Sequence, residues 1–151
     1  MPNFLIADDH SVVRSGLVII IKNLYKDALA GSFKEITTVL SDESIDVLIL
    51  DISFPEGNSL SIISNIKLDF PNLKILMFTS YDEDVYALRY LKAGADGYLS
   101  KLSSPAEIEV AVLGMVRDGR YTSSKIKDKI IDSFMFSKPE NPLEELSDRE
   151  M

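Results

Sequence analysis

Along the first hundred residues, continuous apolar runs alternate with stretches whose apolar positions recur every three or four residues. The runs cover residues 4–7, 47–50 and 75–78. A strand apolar on both faces belongs inside a parallel sheet that is covered on both sides. Gly97-Tyr98-Leu99 predicts a shorter strand, and residues 28–31 predict one at the sheet edge. Between the runs, Val13, Leu17, Ile20, Ile21 and Leu24 fall on one helix face. Ile63, Ile66 and Phe70 do the same, as do Val85, Leu88 and Leu91. Ile108, Ala111, Val112 and Met115 repeat the pattern after Ser104, with Pro105 at the first helical position and Glu107 completing a capping box. Residues 37–41 are expected to form a short helix, and 123–136 a further helix leading away from the domain.

Five alternations of strand and helix predict an α/β fold: a flavodoxin-like, doubly wound, five-stranded parallel sheet of strand order 2-1-3-4-5. Ligands of such sheets bind outside the carboxyl ends of the strands. Composition narrows the chemistry available there. The 151 residues contain no Cys, which excludes disulfides, thiolate metal sites and thiol nucleophiles. A single His argues against a His-rich metal site or a histidine-bearing triad. The net charge of -8 argues against direct binding to nucleic-acid phosphates. That acidity sits in residues 1–118, with ten basic against seventeen acidic residues, while 119–151 hold six and seven. The longest apolar run, residues 17–21, is far short of a membrane span, and the N-terminus lacks a signal-peptide layout. A cytoplasmic location without a membrane partner is expected. Ser137-Lys138-Pro139-Glu140-Asn141-Pro142 reads as a linker, because its prolines oppose both helix and sheet.

A strand-end site would use the residues just past each strand. Asp8 and Asp9 follow the first, Asp51 the third, Thr79 and Ser80 the fourth, and Lys101 the fifth. Three converging carboxylates repel one another and need a counter-charge. Mg2+ supplies one through carboxylates, a carbonyl and retained waters, and Lys101 adds another. A carboxylate nucleophile, a metal, and donors from Lys and Thr describe a phosphoryl-transfer centre. Taken singly, each residue has a plainer role, since an Asp at a strand end caps a helix or shapes a turn. Their joint placement at successive strand ends favours a site. His10, a lone imidazole at a helix start, reads as a cap or surface residue rather than a ligand.

These residues resemble the receiver domain of two-component response regulators over about residues 3–118. Phe4-Leu5-Ile6-Ala7-Asp8-Asp9-His10 with Arg14-Ser15-Gly16-Leu17 is similar to the opening of the NarL/FixJ subfamily. Asp46-Val47-Leu48-Ile49-Leu50-Asp51-Ile52-Ser53-Phe54-Pro55 resembles the phosphoacceptor strand and its loop. Residues 74–80 resemble the strand ending in a hydroxyl switch residue, and Ala93-Gly94-Ala95-Asp96-Gly97-Tyr98-Leu99-Ser100-Lys101 the last strand and its lysine. The resemblance implies that Asp51 accepts a phosphoryl group from a sensor histidine kinase. It implies a Mg2+ site of Asp9 directly, Asp8 through water, Asp51, and the Ser53 backbone carbonyl. Thr79 and Lys101 would bind phosphoryl oxygens, and Tyr98 stands where the family has a switch aromatic. The sequence departs from the pattern at Phe54, where Met is usual, and at Ser59, where Gly is usual. Both changes put the geometry of the metal-binding loop in question.

Leu143-Glu144-Glu145-Leu146-Ser147-Asp148-Arg149-Glu150-Met151 resembles the entry to a LuxR-type helix-turn-helix domain, although Ser147 with Glu150 is also a plain capping box. The implied organisation is a receiver at 1–120, a helix and linker at 121–145, and the start of a truncated DNA-binding domain at 146–151. DNA would be met only through that missing output domain. The leading function is thus a phosphorylation-dependent transcriptional switch that promotes only its own phosphorylation and dephosphorylation. Two alternatives stand beside it: a non-phosphorylated pseudo-receiver, and a Mg2+-dependent phosphatase with an Asp nucleophile. Val12 and Ile19 on the first helix, with Val110 and Leu113 on the helix after Ser104, lie beside the core faces and predict a homodimer.

Overall fold

The computed structural model describes residues 3–8, 10–25, 29–31, 45–51, 58–80 and 83–136. The expected helix at 37–41, the linker at 137–142 and the tail at 143–151 lie outside these residues. The elements run β1 (Phe4–Ala7), α1 (Ser11–Leu24), β2 (Leu29–Gly31), β3 (Val47–Leu50), α2 (Asn58–Asp69), β4 (Lys74–Thr79), α3 (Glu83–Ala93), β5 (Gly97–Ser100), α4 (Pro105–Asp118) and α5 (Ser124–Phe136). The strands form one sheet in the order β2-β1-β3-β4-β5 with every pairing parallel. The apolar runs are therefore the central strands, and the predicted order holds.

Alternation along each strand splits the core into two layers. Phe4, Ile6, Val47, Ile49, Leu76, Phe78 and Leu99 pack against Leu17 and Ile21 of α1 and Ile108, Ala111, Val112 and Met115 of α4. Leu5, Ala7, Leu48, Leu50, Ile75, Met77 and Tyr98 pack the other way, against Ile63 of α2 and Ala87 and Tyr90 of α3. The capping box at α4 forms as its sequence predicts: Ser104 Oγ accepts from the Glu107 amide at 3.2 Å, and Glu107 Oε1 accepts from the Ser104 amide at 3.3 Å. Gly119 closes the same helix at φ +76°, a left-handed conformation that suits glycine.

The helix at the end differs from its expected course away from the domain. Its first turn is docked, because Ile126 is fully buried in the layer that contains Ala87 and Tyr90. The approach to it is also tied down. The Tyr98 amide donates to the Tyr121 carbonyl, and the Tyr121 amide to the Asp96 carbonyl, each at 3.2 Å. Ile130, Ile131, Phe134 and Met135 remain exposed on α5.

Gly97 is where these pieces meet. A Cβ there would lie 2.8 Å from the Tyr121 carbonyl oxygen and 2.9 Å from both Leu76 Cδ1 and Met115 Sδ. Backbone on one side and core on the other leave no room to yield. Gly97→Ala is expected to cost about 1–3 kcal/mol by overpacking. A urea titration should show a lower midpoint at unchanged slope.

Candidate functional site

The strand registers that build the sheet also build a site. Ala7 pairs with Leu50, so Asp8 and Asp51 are the next residues on adjacent strands. Phe4 and Ile6, Val47 and Ile49, and Leu99 all belong to the layer facing α1 and α4. By the two-residue period, Asp8, Asp51 and Lys101 continue those same rows past the strand ends. The ladder itself extends this far: the Asp51 amide donates to the Ala7 carbonyl, and the Lys101 amide to the Thr79 carbonyl, each at 3.0 Å.

Two carboxylates thus stand side by side, Asp8 only 2% and Asp51 8% exposed. Neighbouring like charges destabilise a sheet unless something offsets them. Lys101 does so, its Nζ lying 2.7 Å from Asp51 Oδ2 and 2.9 Å from Asp8 Oδ2. Asp8 Oδ1 accepts from the His10 amide at 2.8 Å and lies 2.9 Å from His10 Nδ1. Arg14 donates to the Asp8 carbonyl. Asp8 Oδ2, although beside the ammonium, accepts no well-directed hydrogen bond, so charge alone holds this buried oxygen.

The charges reinforce each other. Burial opposes ionisation of Asp8, yet the adjacent Lys101 ammonium and the hydrogen bonds from the His10 amide and ring outweigh it and hold the carboxyl below its usual value. Burial likewise works against the Lys101 ammonium, and its bonds to Asp51 and Asp8 prevail and raise its pKa. An under-satisfied buried oxygen and a second carboxylate, with an ammonium marking where positive charge sits between them, make a donor set that fits a hard divalent cation.

The structure therefore brings together Asp8, Asp51 and Lys101 of the residues singled out by sequence. Asp9 and Ser53 lie outside the described residues, as does the loop at 52–57. Thr79 is buried at the end of β4, paired with Ser100 of β5. Alternation places it with Ile75 and Met77, on the side of the sheet where Tyr98 packs. Tyr98 is fully buried and stacks on Tyr90, with ring centroids 6.0 Å apart. His10 is exposed, as sequence reading expected of a cap or surface residue, but that reading did not foresee its contact with the carboxylates. It occupies the cap position of α1 but its side chain makes no cap hydrogen bond, and the ring turns toward the carboxylates instead. The available signal was its position two residues after Asp8, within reach of that side chain.

Lys101→Met is expected to move the Asp8 midpoint upward, because the substitution removes the leading favourable contact and leaves the burial in place. A carboxylate-resolved NMR titration would show this shift.

Comparison with known proteins agrees with the geometry. Residues 4–113 match the family model described as the response regulator receiver domain. The oxygen regulatory protein NreC of Staphylococcus epidermidis is 35% identical over 159 residues, covering 97% of this chain and 72% of that protein. The response regulator UvrY of Escherichia coli is 29% identical over 155 residues, covering 100% of this chain and 71% of the other. Among solved structures, a LuxR-family two-component response regulator from Aurantimonas superposes with a TM-score of 0.72 at 26% identity, over 88% of this chain and 97% of that one. The isolated receiver domain of RcsB from Salmonella enterica in the apo form gives a TM-score of 0.76, at 22% identity, over 87% of this chain and 99% of that one. At that identity the likeness speaks to the fold alone. The chain belongs to the response regulator receiver domain family.

Proposed function

We propose that this chain is a phosphorylation-controlled switch in which Asp51 accepts a phosphoryl group from the phosphohistidine of a sensor histidine kinase. The observation that carries the reading is the Lys101 ammonium held between Asp51 and Asp8 at successive strand ends. In the transfer, an Asp51 carboxylate oxygen forms a bond to phosphorus as the P–N bond of the donor breaks, and the electron pair leaves with the donor imidazole. Negative charge then lies on the phosphoryl oxygens, and the parts around Asp51 suit it. Lys101 would exchange a carboxylate contact for a phosphoryl oxygen. The Thr79 hydroxyl would donate to another. Asp8, Asp9, Asp51 and the Ser53 backbone carbonyl would hold Mg2+, whose charge offsets that of the phosphoryl oxygens when it is bound.

A switch also needs two states of similar energy, so that contacts to the phosphoryl group can shift the balance. Tyr98, turned inward against Tyr90, would represent the state that a phosphoryl-bonded Thr79 favours. For the readout surface we propose a homodimer. Val12 (83% exposed) and Ile19 of α1, with Val110 and Leu113 (39% exposed) of α4, are outward apolar residues on the two helices that share one face of the sheet. DNA would be contacted by a helix-turn-helix output domain that residues 143–151 would open.

Incubation with Mg2+ and acetyl phosphate should add the mass of one phosphoryl group to the wild type and none to Asp51→Asn. Undiminished labelling of Asp51→Asn, or a labelled Ser or Thr, would overturn the assignment. Sedimentation of the phosphorylated or beryllofluoride-treated protein should show a dimer that Leu113→Glu abolishes. A dimer indifferent to that glutamate would place the interface elsewhere.

A further inference from the structure

The His10 ring faces the same pocket as the two carboxylates. Its Nδ1 lies 2.9 Å from Asp8 Oδ1 and 4.0 Å from Asp51 Oδ2. The Lys101 ammonium sits among all three groups, at 2.7 Å from Asp51, 2.9 Å from Asp8 and 3.4 Å from His10 Nδ1. A positive charge is thus already surrounded by two carboxylate oxygens and an imidazole nitrogen. Zinc binds nitrogen and carboxylate oxygen at about 2.0–2.2 Å, which sets donors around it roughly 3–4 Å apart. One ligand atom from each of Asp8, His10 and Asp51 lies within 4.8 Å of the others, so a small contraction reaches that spacing. The buried Asp8 Oδ2, without a well-directed hydrogen bond, is a further oxygen aimed at the same point.

Donor type separates this set from an all-oxygen one. Mg2+ is hard and takes oxygen ligands, so an imidazole contributes little to its binding. Imidazole suits zinc, copper and nickel, which bind mixed nitrogen–oxygen sites more strongly than the earlier divalent metals do. We infer that His10 makes the pocket a site for a divalent transition-metal ion of the zinc type, bound by Asp8, His10 Nδ1 and Asp51 in place of the Lys101 ammonium. The inference rests on the reading of this pocket as a cation and phosphoryl site. Its consequence is inhibitory. A metal that expels Lys101 deprives Asp51 of the ammonium that would otherwise meet the phosphoryl oxygens.

His10 is the chain's one histidine, so every imidazole resonance of the protein reports on this site. Titration of the Mg2+-free protein with Zn2+, followed by 15N NMR, should shift the ring nitrogens and saturate at one ion per chain. Mg2+ should move the Asp8 and Asp51 amides and leave the ring nearly still. The ratio of Zn2+ to Mg2+ affinity should fall at least about tenfold in His10→Ala. Ring resonances that ignore Zn2+ in the wild type, or an unchanged affinity ratio in His10→Ala, would overturn the inference even where Mg2+ still moves the amides. If neither metal moves the amides or the ring, the reading of the pocket as a cation site fails with it.

Discussion

The charge balance at the end of the sheet is the constraint on which the rest of this molecule depends. Parallel pairing of β1 with β3 places Asp8 beside Asp51, a repulsion that something positive between them must offset if both are to stay ionised. Lys101 meets that need from two strands away. Its ammonium reaches both carboxylates only because β4 separates β3 from β5 by one strand and because β5 ends in the row that faces α1 and α4. A buried charge cluster of this sort contributes little net stability compared with apolar packing, while removal of one member leaves the others uncompensated. Such a cluster is consequently poised, and the arrival of another charged group at this point is felt by every member.

The fold was legible because buried parallel strands read as unbroken apolar runs. Residues 4–7, 47–50 and 75–78 carry that pattern, and each became a strand with little change in its bounds. The positions of Asp8, Asp51 and Lys101 followed from the rule about carboxyl ends of strands, and the alternation of faces explains why they point together. Three features were not legible. The direction of the His10 ring depends on a contact with Asp8 that competes with capping, and a one-dimensional pattern does not rank those contacts. The docking of α5 buries Ile126, one apolar residue in a stretch where the exposed Ile130, Ile131, Phe134 and Met135 dominate the helical pattern. The burial of Tyr98 depends on Tyr90 and Ala87, which sit on a different element, so its own neighbours in sequence do not reveal it.

Aromatic packing ties β5 to α3. Tyr98 stacks on Tyr90, and Tyr90 lies 6.3 Å from Tyr86, over whose ring the Arg89 guanidinium stands at 5.7 Å. These rings join the buried end of β5 to the half-buried side of α3. Because the rings fill the layer, Tyr98 cannot change position without movement of its neighbours.

The bridge at Tyr121 has a consequence for what the protein avoids. Since β5 is the last strand of the sheet, its outer backbone would offer hydrogen-bonding groups to any passing chain. The return of the chain after α4 occupies the first of those groups: Tyr121 pairs in parallel with Gly97, accepts from the Tyr98 amide and donates to the Asp96 carbonyl. This single added rung covers the start of the β5 edge. A strand added from another molecule along β5 would first have to displace that rung.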